Sequence, residues 1–128
     1  MIGVVLVSKD WYYIDENGNL PDRPALDKKF LLRLCKNKNC IASPNTYRSL
    51  PPSLFKAAKS ISKIIDPYDT DYDINLGIKT FDILKPDLFY IVQSEKNLNN
   101  GKKFKQDWLK ENYRLLVKDT HLSIYEKR

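Results

Sequence analysis

Runs of apolar and β-branched residues predict the strands of a sheet. Residues 4–7 are continuously apolar (Val-Val-Leu-Val), which is typical of a strand buried on both faces of a mostly parallel sheet. The strongest strand signal, Leu-Phe-Tyr-Ile-Val at 88–92, follows a turn at Pro86 and Asp87. Further strands are predicted at 40–42, within 59–65, and as a final antiparallel pair at 113–117 and 122–125.

A helical period follows the first strand. Leu26, Phe30 and Leu34 recur every four residues and form one apolar stripe. Asp22 is predicted to cap this helix, and Pro24 to occupy its first turn. Two more helices are predicted, one beginning near Thr46 and ending before Pro51, and one over 77–84.

One carboxylate of the first helix stands beside its apolar stripe. Asp27 precedes Leu31 by four residues and Leu34 by seven, so it borders the apolar face instead of pointing wholly at water. Partial burial raises the pKa of a carboxylic acid. A second interpretation is that Asp27 only favours the positive end of the helix dipole.

Length and composition favour one folded α/β domain over residues 1–128. The chain has 42% apolar and 12% aromatic residues, and its strands alternate with helices before a closing hairpin. It contains no apolar run of membrane-spanning length and no leader pattern, so we expect a cytoplasmic protein that does not enter a membrane. The abundance of Lys and Asn is typical of an AT-rich genome such as that of a phage.

Neither the cysteines nor the acidic loop predicts a metal site. Cys35 and Cys40 have no companion ligands at metal-site spacing, and we expect them to be reduced thiols. Asp69, Asp71 and Asp73 resemble the start of a calcium loop, but Ile74 stands where the sharp turn requires glycine. A solvated loop is the better interpretation.

The net charge of +6 would allow contact with nucleic acid. Lys102, Lys103 and Lys105 surround Phe104, an arrangement that can follow a phosphate backbone while an aromatic ring stacks on a base. A solvated loop with one core-facing Phe explains the same residues. We do not expect nucleic acid as the main partner, because the positive charge is mostly scattered lysine.

Segments along nearly the whole chain resemble motifs of the dihydrofolate reductases, in the same order. The clearest are Met-Ile-Gly-Val-Val-Leu-Val at 1–7 and Ile-Ala-Ser-Pro-Asn-Thr-Tyr-Arg-Ser-Leu at 41–50. The others are 19–21, the helix bearing Asp27, 77–84, 87–92, and 104–128 with Phe104, Trp108 and the closing hairpin. The resemblance implies a dihydrofolate reductase-like fold, with a mostly parallel central sheet, flanking helices and a C-terminal antiparallel hairpin.

The resemblance also implies a pterin site. In these enzymes a hydride passes from NADPH to the pterin of folate, and a buried carboxylate at the start of the first helix helps to protonate the ring. Asp27 matches that carboxylate, the catalytic residue if the chain is active. Residues that match positions around the pterin are Val5, Val7, Leu20, Phe30 and Leu31, together with Asp27.

For the NADPH site, the residues that match family positions are Thr46, Tyr47, Ser49 and Gly77. Other positions depart from the family. Ser43 and Pro44 replace a glycine and a basic residue, Leu76 replaces the first of two glycines, and Val92 replaces a threonine that supports the carboxylate. Members of the family are also longer than this chain. Most of the length that this chain lacks falls between 65 and 75, where the family binds the adenosine of NADPH.

Three functions follow from these observations. The first is a non-catalytic dihydrofolate reductase-like module with a degenerate active site, which binds a protein partner or a pterin- or folate-like ligand. The second is a compact active reductase that uses NADPH, so the sequence leaves enzymatic activity open. The third is a basic nucleic-acid-binding protein.

Overall fold

The computed structural model of the chain describes residues 1–63, 72–76 and 85–128, and the side chains of residues 25–28 lie outside this description. The predicted helix at 77–84 and most of the acidic loop therefore lie outside the described residues. The strands are β1 (Ile2–Val7), β2 (Tyr12–Ile14), β3 (Asn39–Ala42), β4 (Ser60–Lys63), β5 (Ile74–Asn75), β6 (Leu88–Gln93), β7 (Lys102–Lys103), β8 (Tyr113–Lys118) and β9 (Leu122–Lys127). The helices are α1 (Ala25–Cys35), α2 (Pro44–Ser49), α3 (Pro52–Ala57) and α4 (Gln106–Asn112).

Seven strands form one sheet in the order β4-β3-β5-β1-β6-β9-β8, and β2 pairs with β7 separately. β1 lies between β5 and β6 and is parallel to both. β3 is parallel to β4 and β5, whereas β9 is antiparallel to β6 and to β8. The predicted α/β fold, with a mostly parallel sheet and a C-terminal antiparallel hairpin, is confirmed.

β1 divides the core into two layers, because successive side chains of a strand point to opposite faces of the sheet. Val4 is buried on the face covered by α1 and α3. Val5 and Val7 are buried on the opposite face, among the aromatic residues that surround Phe89. Burial on both faces explains why the first strand is a continuous apolar run.

Helix α1 packs on the sheet through residues that the predicted stripe did not include. Leu31 and Cys35 are fully buried, whereas Phe30 and Leu34 are only partly buried at the edge of the same cluster. α1 also contacts α3, which moves the buried face of the helix toward Leu31 and Cys35.

The predicted cap of α1 is wrong. Because the helix begins at Ala25, Pro24 occupies the N-cap position. It makes no side-chain cap hydrogen bond. Asp22 lies too far upstream to cap this helix and instead forms an ion pair with Lys96 at 3.1 Å. The N-cap role requires the residue directly before the first turn.

The region after β3 contains two short helices where one was predicted. α2 begins at Pro44, with Ser43 as its N-cap, and ends at Ser49. Pro51 then becomes the N-cap of α3, and Pro52 its first residue. Proline suits the start of both helices, because the first turn of a helix needs no intrahelical N–H donor.

The C-terminal region matches its predicted strands and adds a helix that no pattern predicted. α4 ends at Asn112 and β8 begins at the next residue. Phe104 is only 8% exposed, and its ring lies 5.8 Å from that of Phe89 and 6.4 Å from that of Trp108. The prediction of a core-facing Phe104 is confirmed, and this ring has little surface left for stacking on a base.

No helix within the described part of the chain is long and apolar enough to cross a membrane.

Candidate functional site

The candidate site lies where the parallel strands end. β1, β3, β5 and β6 run in the same direction, so their carboxyl ends meet at one edge of the sheet. Ser43 directly follows β3, Leu76 directly follows β5, and Val92 is the last residue but one of β6. In open α/β sheets this edge is the usual place for a ligand, because the connecting loops diverge there and leave a crevice.

A cavity of about 260 Å³ opens at this edge. Its wall is mostly apolar, and a guanidinium, three hydroxyl side chains and an amide supply polar groups. The residues that line it are Val4, Val5, Leu6, Tyr13, Ile14, Leu20, Arg23, Leu31, Ser43, Pro44, Asn45, Thr46, Leu76 and Val92. An apolar cavity with a few polar groups is typical of a small-molecule site.

Three of the residues predicted to surround a pterin line this cavity. Leu20 reaches it from the loop before α1, and Leu31 from the buried face of α1. Val5 also lines it, although its side chain belongs to the core layer on the other face of the sheet. These three residues share the cavity wall, and their contact with a pterin stays a prediction.

Two other predicted pterin contacts lie elsewhere. Val7 is fully buried in the layer around Phe89 and is not among the residues that line the cavity. Phe30 packs against the ring of Tyr90 at 5.4 Å and lines a neighbouring groove instead. These positions stay predictions, now with a stated place in the fold.

Asp27, the predicted catalytic residue, lies in the first turn of α1, and its side chain is outside the described residues. The described residues that line the cavity include no carboxylate. A carboxylic acid in contact with a ring in this cavity would therefore have to come from side chains outside the described residues, such as Asp27.

The residues predicted to bind NADPH divide between two environments. Thr46 lines the cavity, and its hydroxyl oxygen accepts a hydrogen bond from the Ser43 hydroxyl at 3.0 Å. The helix predicted to begin near Thr46 begins at Pro44, with Ser43 as its N-cap. Pro44 at the first position of α2 has no N–H to offer a phosphate.

Tyr47 and Ser49 do not line the cavity. The Tyr47 ring packs edge-on against Phe55 at 5.1 Å, and the ammonium of Lys63 lies 5.0 Å from its centroid. The Ser49 hydroxyl donates to the carbonyl oxygen of Thr46 at 2.8 Å within α2. Gly77 lies outside the described residues.

The positions that depart from the family pattern contribute apolar surface to the cavity. Leu76 is 6% exposed and Val92 is 3% exposed, and both belong to the core cluster that contains Leu31. The Leu76 amide donates to the carbonyl oxygen of Ile41 at 2.7 Å, which fixes the chain directly after β5. The position that the resemblance assigns to a glycine thus contributes a leucine side chain to the wall.

One wall of the cavity comes from β2, a strand that the sequence patterns did not predict. Tyr13 and Ile14 line the cavity from β2, which is held against β7. The Phe104 amide extends this contact by donating to the carbonyl oxygen of Trp11 at 2.8 Å. The signal for β2 was present in Tyr-Tyr-Ile at 12–14, a short run of residues that favour strands.

A carboxylate ties the loops at the ends of β1 and β6 together. Asp10 accepts hydrogen bonds from the Ser8 hydroxyl and from the amides of Leu98 and Asn99, the last two at 3.0 Å. Burial by itself would raise the pKa of Asp10, but the three hydrogen bonds outweigh it and hold that pKa below its ordinary value. Asp10 acts as a structural acceptor in its charged form.

The cysteines lie beside the site but do not form it. Cys35 and Cys40 are both buried, and neither forms a disulfide. A hydrogen bond with Cys35 lowers the pKa of Cys40, although burial and the charge of Asp73 oppose this. Within the described ranges, no group of three or more His, Cys, Asp or Glu residues is arranged to hold a metal ion.

Comparison with protein-family models gave no match, and comparison with curated proteins gave none either. The resemblance to dihydrofolate reductases therefore remains a proposal, which rests on the residues that line the cavity.

Proposed function

We infer that this chain is a dihydrofolate reductase-like binding protein, which takes one pterin-like ring in the cavity at the sheet edge and does not reduce it with NADPH. The observation that carries this proposal is the composition of the cavity wall. Val5, Leu20 and Leu31 line the same cavity as Leu76. Residues that the resemblance assigns to the pterin thus share one small space with Leu76, which the resemblance assigns to the cofactor side.

The volume of the cavity supports one ring system rather than two ligands. An engineered apolar cavity of roughly 150 Å³ accepts benzene, whereas sites for drug-sized ligands occupy about 300 to 1,000 Å³. At about 260 Å³, this cavity lies between the two. A bicyclic heteroaromatic ring is of suitable size, and a pterin together with a nicotinamide is too large.

The polar groups of the cavity suit the edge of such a ring. Arg23, Asn45 and the hydroxyl groups of Ser43 and Thr46 lie on its wall, beside the apolar surface of Leu20. A flat heteroaromatic ring can place its faces against aliphatic side chains and its ring nitrogens toward these polar groups. The same polar groups give poor support to a pyrophosphate, because Pro44 removes an amide donor.

The test is a set of calorimetric titrations of the whole chain with methotrexate, dihydrofolate and NADPH. We expect saturable binding of methotrexate near micromolar concentration, about −8 kcal/mol, and no heat from NADPH at millimolar concentration. We also expect no oxidation of NADPH in the presence of dihydrofolate. The proposal would be overturned if neither methotrexate nor dihydrofolate binds to the protein.

A pair of leucine variants connects the binding to this cavity. Leu20 and Leu98 are both half-buried loop residues, but only Leu20 is among the residues that line the cavity. Leu20→Ala should weaken methotrexate binding about tenfold, or roughly 1.4 kcal/mol, and Leu98→Ala should leave it unchanged. Equal effects of the two variants would place the ligand elsewhere.

Asp27→Asn separates the two dihydrofolate reductase-like functions. Turnover by the wild-type chain that disappears in Asp27→Asn would establish the compact reductase. Methotrexate binding without turnover in the wild type supports the non-catalytic module, whatever the effect of the substitution.

A further inference from the structure

A second groove lies on the other side of α1, between that helix and the C-terminal hairpin. Its volume is about 390 Å³, and it is separate from the cavity at the sheet edge except for Val92, which lines both. The residues that line it are Pro24, Lys29, Phe30, Arg33, Val92, His121 and Leu122. The resemblance assigns a ligand contact here only to Phe30.

The floor of this groove is apolar. Val92 and Leu122 lie directly opposite each other on β6 and β9, and Phe30 leans over them from α1 with its ring against Tyr90. Only 3% of Val92 is exposed, whereas Phe30 and Leu122 are partly exposed. The floor therefore offers a solvent-accessible apolar slot next to a well-packed sheet.

The rim of the groove is cationic. Lys29 and Arg33 stand four residues apart on α1, so both lie on the same side of the helix, and both are exposed. Among the described side chains, neither forms an ion pair, and two like charges at this spacing repel each other. An anion between them would relieve that repulsion.

His121 lines the groove from the side of the C-terminal hairpin. Its Nδ1 lies 3.2 Å from the carbonyl oxygen of Gln93, and its Nε2 lies 3.1 Å from Oε1 of Glu95. These two contacts fix the orientation of the imidazole ring at the edge of the groove. Glu95 is engaged by this pair and does not line the groove.

No described residue that lines the groove carries a negative charge, and the nearby Asp22 is paired with Lys96. We propose that this groove is a binding site for a small amphipathic carboxylate, with an aromatic or aliphatic body on Phe30, Val92 and Leu122 and its carboxylate between Lys29 and Arg33. Arginine can grip a carboxylate with two parallel hydrogen bonds, and the apolar floor gives the body a surface to cover. This site is independent of the proposed pterin cavity.

The test uses naphthoate as probe and naphthalenemethanol as its neutral analogue. In amide NMR spectra of the whole chain, we expect naphthoate to shift the signals of Phe30, His121 and Leu122 saturably, and the alcohol to bind at least tenfold more weakly. Naphthoate binding should also weaken as salt is added, because the rim charges are exposed. Equal binding of acid and alcohol would overturn the proposal.

Matched substitutions locate the charge effect. Arg33→Gln and Lys29→Gln should each weaken naphthoate binding several-fold, since each removes one exposed cation from the rim. Arg48→Gln removes an exposed cation that does not line the groove, and it should have no effect. Shifts confined to Leu20 and Thr46, in the other cavity, would overturn this site without affecting the proposed pterin function.

Discussion

Gly101 lies directly against the carbonyl oxygen of Ile14. A Cβ atom on Gly101 would come within 1.9 Å of that oxygen and 2.6 Å of the α-carbon of Asp15. The φ angle of Gly101 is +107°, a conformation that residues with a side chain rarely adopt. The missing side chain lets the end of β2 approach Gly101 while β2 pairs with β7, and β2 supplies Tyr13 and Ile14 to the cavity wall.

Gly101→Ala should therefore disturb both stability and binding. The clash is with backbone atoms, which cannot rotate away, so β2 must move or the strained φ angle must change. We expect a loss of more than about 2 kcal/mol in the free energy of unfolding, measured in urea, and a weaker methotrexate titration.

Gly18→Ala is the control for the φ angle alone. Gly18 also has a positive φ, +83°, but no atom lies within 4 Å of the position of its added Cβ. This variant should lose about 1 kcal/mol in the free energy of unfolding, and it should bind methotrexate as the wild type does. If Gly101→Ala behaves in the same way as Gly18→Ala, the contact with Ile14 does not position the wall.

Truncation of leucine should distinguish the core from the edge of the sheet. Leu54 on α3 is fully buried, and Leu54→Ala should cost about 2 to 5 kcal/mol by opening a cavity. Leu116 is 47% exposed, at a register shift in the edge strand β8, and Leu116→Ala should cost less than about 0.5 kcal/mol. Chemical unfolding of both variants tests this, and similar losses would contradict the described burial.

Tyr113 should contribute a step to the alkaline unfolding of the protein. Burial, assisted by the charge of Asp87, raises the pKa of Tyr113 to about 12, and its hydroxyl donates to the carbonyl oxygen of Pro86 at 2.7 Å. The folded-state pKa lies above the value of about 10 for an unfolded chain. The contribution of the Tyr113 hydroxyl to the free energy of unfolding is therefore complete below pH 10. It is lost as the pH rises toward 12.

Tyr113→Phe tests that step. At neutral pH the variant leaves a buried carbonyl oxygen without its donor and should lose about 1 to 3 kcal/mol. The difference in the free energy of unfolding between the variant and the wild type should narrow between about pH 10 and 12, since phenylalanine has no proton to lose. Urea unfolding at several pH values measures it, and a constant difference across this range would contradict the assignment.

Asp10 should contribute the opposite dependence at acid pH. Its folded-state pKa lies below the unfolded value of about 3.9, so its contribution is present above that pH and is lost as the pH falls through the folded-state pKa. Asp10→Asn should destabilise the protein at neutral pH, and the difference from the wild type should shrink below about pH 4. A difference that grows on acidification would show that the carboxylate does not act as an acceptor.

The sequence predicted the parts of this fold that depend on local pattern. The apolar run at β1, the strand at β6 and the final hairpin were each visible, because a buried strand needs consecutive apolar residues and a hairpin needs two strands close in sequence. α4 and the short strand β7 were not predicted. Each is short, and each is stabilised by contacts such as that of Phe104 with Trp108, which join residues through packing.

The candidate site shows the same division. By itself, the sequence determined that Leu20 and Leu31 are apolar and that proline stands at position 44. Only the tertiary structure decided that Leu20, Leu31 and Pro44 share one cavity with Leu76, and that Tyr47 packs against Phe55 instead. The reason is physical: a cavity is made by side chains from strands and loops far apart in sequence, and their meeting depends on the order of strands in the sheet.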